Sequence, residues 1–247
     1  MRRALVLAAA VSLAPSSARG DEYPVAFIER PQVLPGGLVE IDGALDHQER
    51  RALGIETLSA EGFALAGAVG IGGRWQLGAG TSAGVHPDAA WDRSLALGAV
   101  FAALDRPRLE IAPTASLPLS FHTGYDLVST LDIGLGLRTR VGKRVFVTAG
   151  RRLMPIDIRP ALAWNAALDG GVGVQLAPTV AVVAGAEFAE LTVAGQVDRS
   201  ASLFGRLPAQ LALLWTGARV DTTLEIAADL EHPRDDLRVL LRMAVRP

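Results

Sequence analysis

The sequence predicts an all-β protein, a transmembrane antiparallel up-and-down β-barrel of about 12 strands, and three observations lead there. Tight-turn sequences recur every 33–39 residues: GGR at 72–74, DRP at 105–107, GKR at 142–144, APT at 177–179 and TGAR at 216–219. Longer, more polar stretches at 46–60, 82–93, 120–128, 152–163 and 189–202 lie between them. Each turn is flanked by segments of about 10 residues with alternating apolar character, the length and period of a membrane-crossing strand. Beyond the N-terminus no stretch supplies the ~20 apolar residues of a membrane helix. The nearest, GVGVQLAPTVAVVAGAE, is broken by Gln175, Pro178 and Glu187.

Residues 1–20 read as a signal peptide: Arg2 and Arg3, an apolar run from Ala4 to Leu13, then Ala18 and Gly20 as a small-x-small cleavage site. Export follows, with Asp21 opening the mature chain. Residues 21–36 are expected to be an N-terminal periplasmic segment and residues 37–247 the barrel. The first strand carries Val39, Ile41 and Leu45. Around the first turn, Phe63, Leu65, Val69 and Ile71 alternate with small residues before Trp75, Leu77, Ala79, Thr81 and Ala83. The second turn joins Leu95, Leu97, Ala99 and Phe101 to Leu109, Ile111, Ala115, Leu117 and Leu119. The third joins Leu131, Ile133, Leu135 and Leu137 to Val145, Val147 and Ala149. The fourth joins a run from Trp164 to Leu176 with one from Val180 to Phe188, and the fifth joins Leu207, Leu211, Leu213 and Trp215 to Val220, Leu224 and Ile226. With a last strand from Leu237 to Val245 the strands number twelve, an even count as closure by antiparallel pairing requires. Trp75 and Trp215 are placed outward beside short turns, and Phe63, Phe121, Trp164 and Phe188 outward near the opposite ends, as two interfacial girdles.

The C-terminal stretch DTTLEIAADLEHPRDDLRVLLRMAVRP supports the same architecture. Asp221, Glu225 and Asp229 precede Pro233, and Arg238, Arg242 and Arg246 follow it, each series in steps of four residues. An antiparallel hairpin centred on residues 232–235 would set Asp229 opposite Arg238, Glu225 opposite Arg242 and Asp221 opposite Arg246. The same register would pair Ala228 with Val239, Ile226 with Leu241 and Leu224 with Met243, giving one charged and one apolar face. A pair of amphipathic helices fits the spacing as well, since residues four apart share a face in either structure. Parity of the flanking apolar residues assigns the lumen-lining candidates: Glu40, Asp42 and Asp46 on the first strand, Asp132, Arg138 and Arg140 on the sixth, then Asp221, Glu225, Asp229, Arg238, Arg242 and Arg246.

Composition narrows the chemistry. A net charge of -2 gives no concentrated basic surface, so no nucleic-acid partner is expected. The absence of cysteine excludes disulfides, thiolate metal sites, a Cys nucleophile and a lipoprotein anchor. His47, His86, His122 and His232 share no metal-ligand spacing. SFHTG at 120–124 gathers Ser120, His122 and Thr123, but neighbours along a strand point to opposite faces, against a nucleophile and base in hydrogen-bond reach. DIGLGLRTR at 132–140 lacks a GKS or GKT and a following helix, so it is no phosphate loop. No catalytic, cofactor or metal site is assigned.

With these elements in view, the mature chain resembles bacterial outer-membrane β-barrel proteins as a class. ERPQVLPGGLVEIDGAL at 29–45 looks like the entry into the first strand of proteobacterial barrels. The resemblance implies outer-membrane lipid and the barrel-assembly machinery as partners. The family usually ends its last strand in an aromatic residue, whereas this chain ends in Val245, Arg246 and Pro247. The function expected is a narrow pore or transport-like conduit for small polar solutes or ions. The alternatives are a non-conducting structural or adhesion barrel acting through loops 46–60, 82–93 and 189–202, an outer-membrane hydrolase, and a soluble periplasmic β-sandwich.

Overall fold

A computed structural model describes residues 23–52, 56–85, 91–120, 130–150, 154–157, 163–194, 198–203, 208–230 and 236–247. Fifteen strand segments form one antiparallel sheet. In chain order they are β1 Val39–Ala52, β2 Glu56–Ile71, β3 Trp75–Val85, β4 Trp91–Phe101, β5 Leu104–Asp105, β6 Leu109–Ser120, β7 Thr130–Val141, β8 Val145–Ala149, β9 Met154–Asp157, β10 Ala163–Ala177, β11 Val180–Ala194, β12 Asp198–Leu203, β13 Pro208–Thr216, β14 Val220–Asp229 and β15 Asp236–Val245. β8 and β9 both lie between β7 and β10 and make one stave, and β12 and β13 both pair with β11 and make another. With the two-residue β5 set aside, twelve staves remain, and β1 pairs with β15 to close the barrel. A single closed sheet leaves no edge and excludes the two-sheet sandwich.

The tight turns fall where the sequence puts them. Gly72 and Gly73, at φ of 59° and 73°, are the central residues of the turn Ile71–Arg74 in the three-residue connection between β2 and β3, a backbone conformation that L side chains resist. The opposite end differs from expectation. The strands run well into the stretches expected to be loops: β1 and β2 together cover all of 46–60 except 53–55. His47 pairs with Glu61 and Glu49 with Ser59. Polar side chains do not interrupt a ladder, because backbone groups keep pairing wherever the neighbouring strand continues. At 16 residues β2 is longer than the ~9–11 a tilted strand needs to cross a bilayer.

The register of the last hairpin also corrects the sequence reading. Asp221 faces Ala244, Glu225 faces Leu240 and Ala227 faces Arg238, two residues away from the expected pairing. Ile226 faces Val239 and Leu224 faces Leu241. A shift of two preserves which side chains share a face, so the charged and apolar faces stand while the direct opposition of charges does not. The hairpin centre itself, with Pro233, lies outside the described residues, as do residues 1–22, Phe121, His86, His122 and His232. The same holds for the side chains of Ser120, Trp164 and Phe188.

Outward positions are apolar and exposed, among them Ile41, Leu45, Phe63, Leu65, Trp75, Leu77, Leu135, Leu168, Leu211, Trp215, Leu224 and Leu241. Trp75 and Trp215 take the outward places expected beside the short turns, and Trp75 stacks on Phe101 at 4.5 Å between ring centroids. Such an outer surface is stable only where lipid replaces water. No helix among the described residues is long and apolar enough to cross a membrane. The buried residues gather at the turn end, in a cluster of Ile28, Phe146, Ala181, Val183, Ala212 and Leu214 and another of Tyr23, Leu34 and Leu38.

Candidate functional site

The members of these clusters show where residues 23–38 lie. This stretch precedes β1, contains one short 3₁₀ turn, Phe27–Glu29, and packs against inner-face residues at the turn ends of strands all around the wall. The Ile28 amide donates to Gln175 Oε1 on β10 at 3.1 Å, the Gln32 amide to Glu110 Oε2 on β6 at 3.2 Å, and the Leu34 amide to Gln76 Oε1 on β3 at 3.0 Å. Arg30, 4% exposed, pairs with Asp221 on β14 and donates to the Gly217 carbonyl at 2.7 Å, while Arg138 on β7 donates to the Arg30 carbonyl. Five wall segments therefore hold one short stretch of chain. Gly70 makes room for it: a Cβ there would overlap the carbonyl oxygen of Pro35.

Charged residues at this end form two buried groups. Glu110 accepts from Arg138 and Arg140, each at 2.6 Å. Asp221 is shared by Arg30 and Arg246, and Arg246 also reaches Glu40 at 2.8 Å. Tyr23 lies beneath both arginines, its ring centroid 5.1 Å from the Arg30 guanidinium carbon and 4.4 Å from that of Arg246. Burial pushes the Tyr23 hydroxyl above its ordinary pKa, with Arg246 and Arg30 pulling the other way. Buried charges demand such partners, because desolvation without them costs several kcal/mol per ion, on the order of the pairing itself.

Further from the turns the character changes. Arg242 makes a two-bond contact with Asp42, Nε to Oδ1 at 2.9 Å and Nη2 to Oδ2 at 2.7 Å, and Arg238 Nε binds Asp46 at 2.8 and 3.0 Å. These arginine side chains are 51% and 45% exposed, against 3% for Arg246 on the same strand face. Exposure of these arginines thus falls along β15 toward residues 23–38.

Of the residues singled out from sequence, Glu40, Asp42, Arg238, Arg242 and Arg246 are brought together across the β1–β15 seam, and Asp221 joins them through Arg246. Arg138 and Arg140 meet at Glu110 on the neighbouring wall. Asp132 lies on the same face of β7, opposite Ser116 and Pro155. Glu225 stands opposite Leu240 and Ala212, and Asp229 opposite Pro208. Glu110, Gln76, Gln175, Arg30 and Tyr23 escaped the sequence reading. A polar residue at inner parity two or three places from a tight turn is the signal that could have found Glu110, Gln76 and Gln175. Among the described residues no group of His, Asp and Glu could hold a metal ion.

No protein-family model matches the chain, and no curated protein sequence does. Solved structures do. The NanC porin is similar at TM-score 0.58 and 9% identity, over 84% of this chain and 100% of that one. The KdgM porin in complex with disordered oligogalacturonate gives 0.53 and 10%, over 83% and 98%. An outer-membrane channel from Pseudomonas putida F1 gives 0.53 and 12%, over 87% and 97%. The translocator domain of the autotransporter NalP from Neisseria meningitidis is as similar, at 0.53 and 13%, over 87% and 90%. The chain has the fold of bacterial outer-membrane β-barrel proteins, a fold shared by porins, channels and a translocator.

Proposed function

We propose that the chain is an outer-membrane conduit for small polar solutes or ions, with its tight turns toward the periplasm and its longer hairpins outside. The observation that carries the reading is the ladder of Arg238–Asp46 and Arg242–Asp42, whose arginine side chains are about half exposed. A barrel packed solid would bury such charges, and a wet lumen leaves them solvated. Next to this seam, the inner faces of β2, β3 and β4 carry Ala60, Gly62, Ala64, Gly78, Gly80, Ala96 and Gly98, which leave space beside the ladder. In this reading the twelve charged candidates line or brace the lumen, and those in water set which ions it tolerates. The likeness to porins and a channel agrees with this reading.

The full chain in planar bilayers is expected to show discrete conductance steps. Replacing Arg238→Glu and Arg242→Glu should shift the zero-current potential in a salt gradient toward cation preference. A membrane silent at all voltages, even after Arg30→Ala loosens residues 23–38 from the wall, would rule the conduit out.

A further inference from the structure

We propose that residues 23–38 are a plug that holds the barrel shut at its turn end, and that solute passes only when the Arg30 contacts to the wall release it. The inference rests on the barrel being a conduit and adds how that conduit is regulated. The anchors on β3, β6, β7, β10 and β14 lie around the circumference, so the segment spans the aperture rather than lying along one wall. Apolar contacts fill the spaces between them, Ile28 against Phe146, Val183 and Leu214 on one side, and Leu34 and Leu38 beside Ala68 on the other.

The way it is held is that of a removable part. Backbone pairing with the wall is confined to its end next to β1, where the Gly37 amide donates to the Gly70 carbonyl and the Gly70 amide to the Leu38 carbonyl, each at 2.9 Å. Gly37, at φ of 85°, gives the chain a pivot there. Its remaining polar anchors are side-chain contacts, which can exchange for water one by one. A cavity of about 220 Å³ between Gln32, Val33 and Pro35 and the wall at Leu104, Glu110 and Ala112 gives the segment space to move. Asp221 keeps Arg246 when Arg30 leaves, so release strands no buried carboxylate.

Three full-length forms in planar bilayers test this, with heat-dependent gel mobility to establish folding of each. The intact chain is expected to open rarely. Arg30→Ala combined with Gly70→Val, which removes the ion pair and fills the space the plug needs, should raise the open fraction at least tenfold at unchanged step size. Gln32→Cys combined with Gly136→Cys, bridged by a short reducible bis-methanethiosulfonate, supplies the converse, since a Cβ at Gly136 would stand 3.8 Å from the Gln32 Cδ and the two new thiols lie within the reagent's span. The bridged form should stay shut and open on reduction, a comparison within one folded molecule that holds even if the loosened variant does not fold. Equal open fractions in the intact, loosened and cross-linked forms would overturn the plug and leave the conduit standing. Silence of every form, reduced cross-link included, would overturn the conduit and the plug with it. Failure of the two thiols to bridge would refute the close approach on which the plug depends.

Discussion

Asp42 and Arg242 show how a residue pair can be missed when alternation gives only which side chains share a strand face. Alternation along β15 and β1 assigns both to the inner side, but any even offset between strands keeps that assignment, so parity fixes the face and leaves the partner open. Arg242 meets Asp42 across the closing seam, not Glu225 on the adjoining strand. Arg242→Glu should lower the temperature at which the folded barrel loses its compact gel mobility, with a cost on the order of 1 kcal/mol for a pair whose arginine is half exposed. Adding Asp42→Arg should recover part of the loss, and adding Glu225→Arg should recover none. Recovery by Glu225→Arg would contradict the observed register. Gly173 makes a second residue-scale case. It stands directly opposite Phe146, whose ring covers the position a Cβ would take. Gly173→Val should therefore cost about 1–3 kcal/mol through overpacking, measured by urea unfolding in lipid vesicles.

At the scale of the element, β14, β15 and β1 share an outer row in which Leu224 and Leu45 both face Leu241. The row lies within the apolar belt, while Leu230 lies just beyond the end of β14. The cost of a charge on the lipid side depends on depth. Leu241→Arg is expected to destabilise the barrel by roughly 2–4 kcal/mol and Leu230→Arg by about 0–1 kcal/mol, again by unfolding in vesicles. Equal costs at the two sites would mean that the belt does not follow the bilayer. Strand existence and the tight turns were legible in the sequence, since glycines 72 and 73 and the apolar alternation are local signals. The far strand ends were not: whether a polar stretch such as 46–52 pairs depends on the neighbouring strand running alongside it, which no local pattern records.

For the whole molecule, Asp221 on β14 ties the N-terminal segment, through Arg30 191 residues away in sequence, and Arg246 after β15 into one buried group. Asp221→Ala would leave two buried arginines short of a carboxylate, and breaking such a group costs about 3–5 kcal/mol. Heat-dependent gel mobility should show this as a larger loss than Arg242→Glu causes, and an equal or smaller loss would mean the group is solvated. By itself the sequence determined an all-β chain of twelve staves, the positions of its tight turns, and which side chains share a face of each strand. These follow from period and turn chemistry, which act over a few residues. Only the tertiary structure decided which charges meet, how far the hairpins extend, and that residues 23–38 fill the turn end. Closure brings β1 to β15 and five wall segments to one stretch of chain, and contacts made by bending a sheet into a ring leave no periodic trace along it.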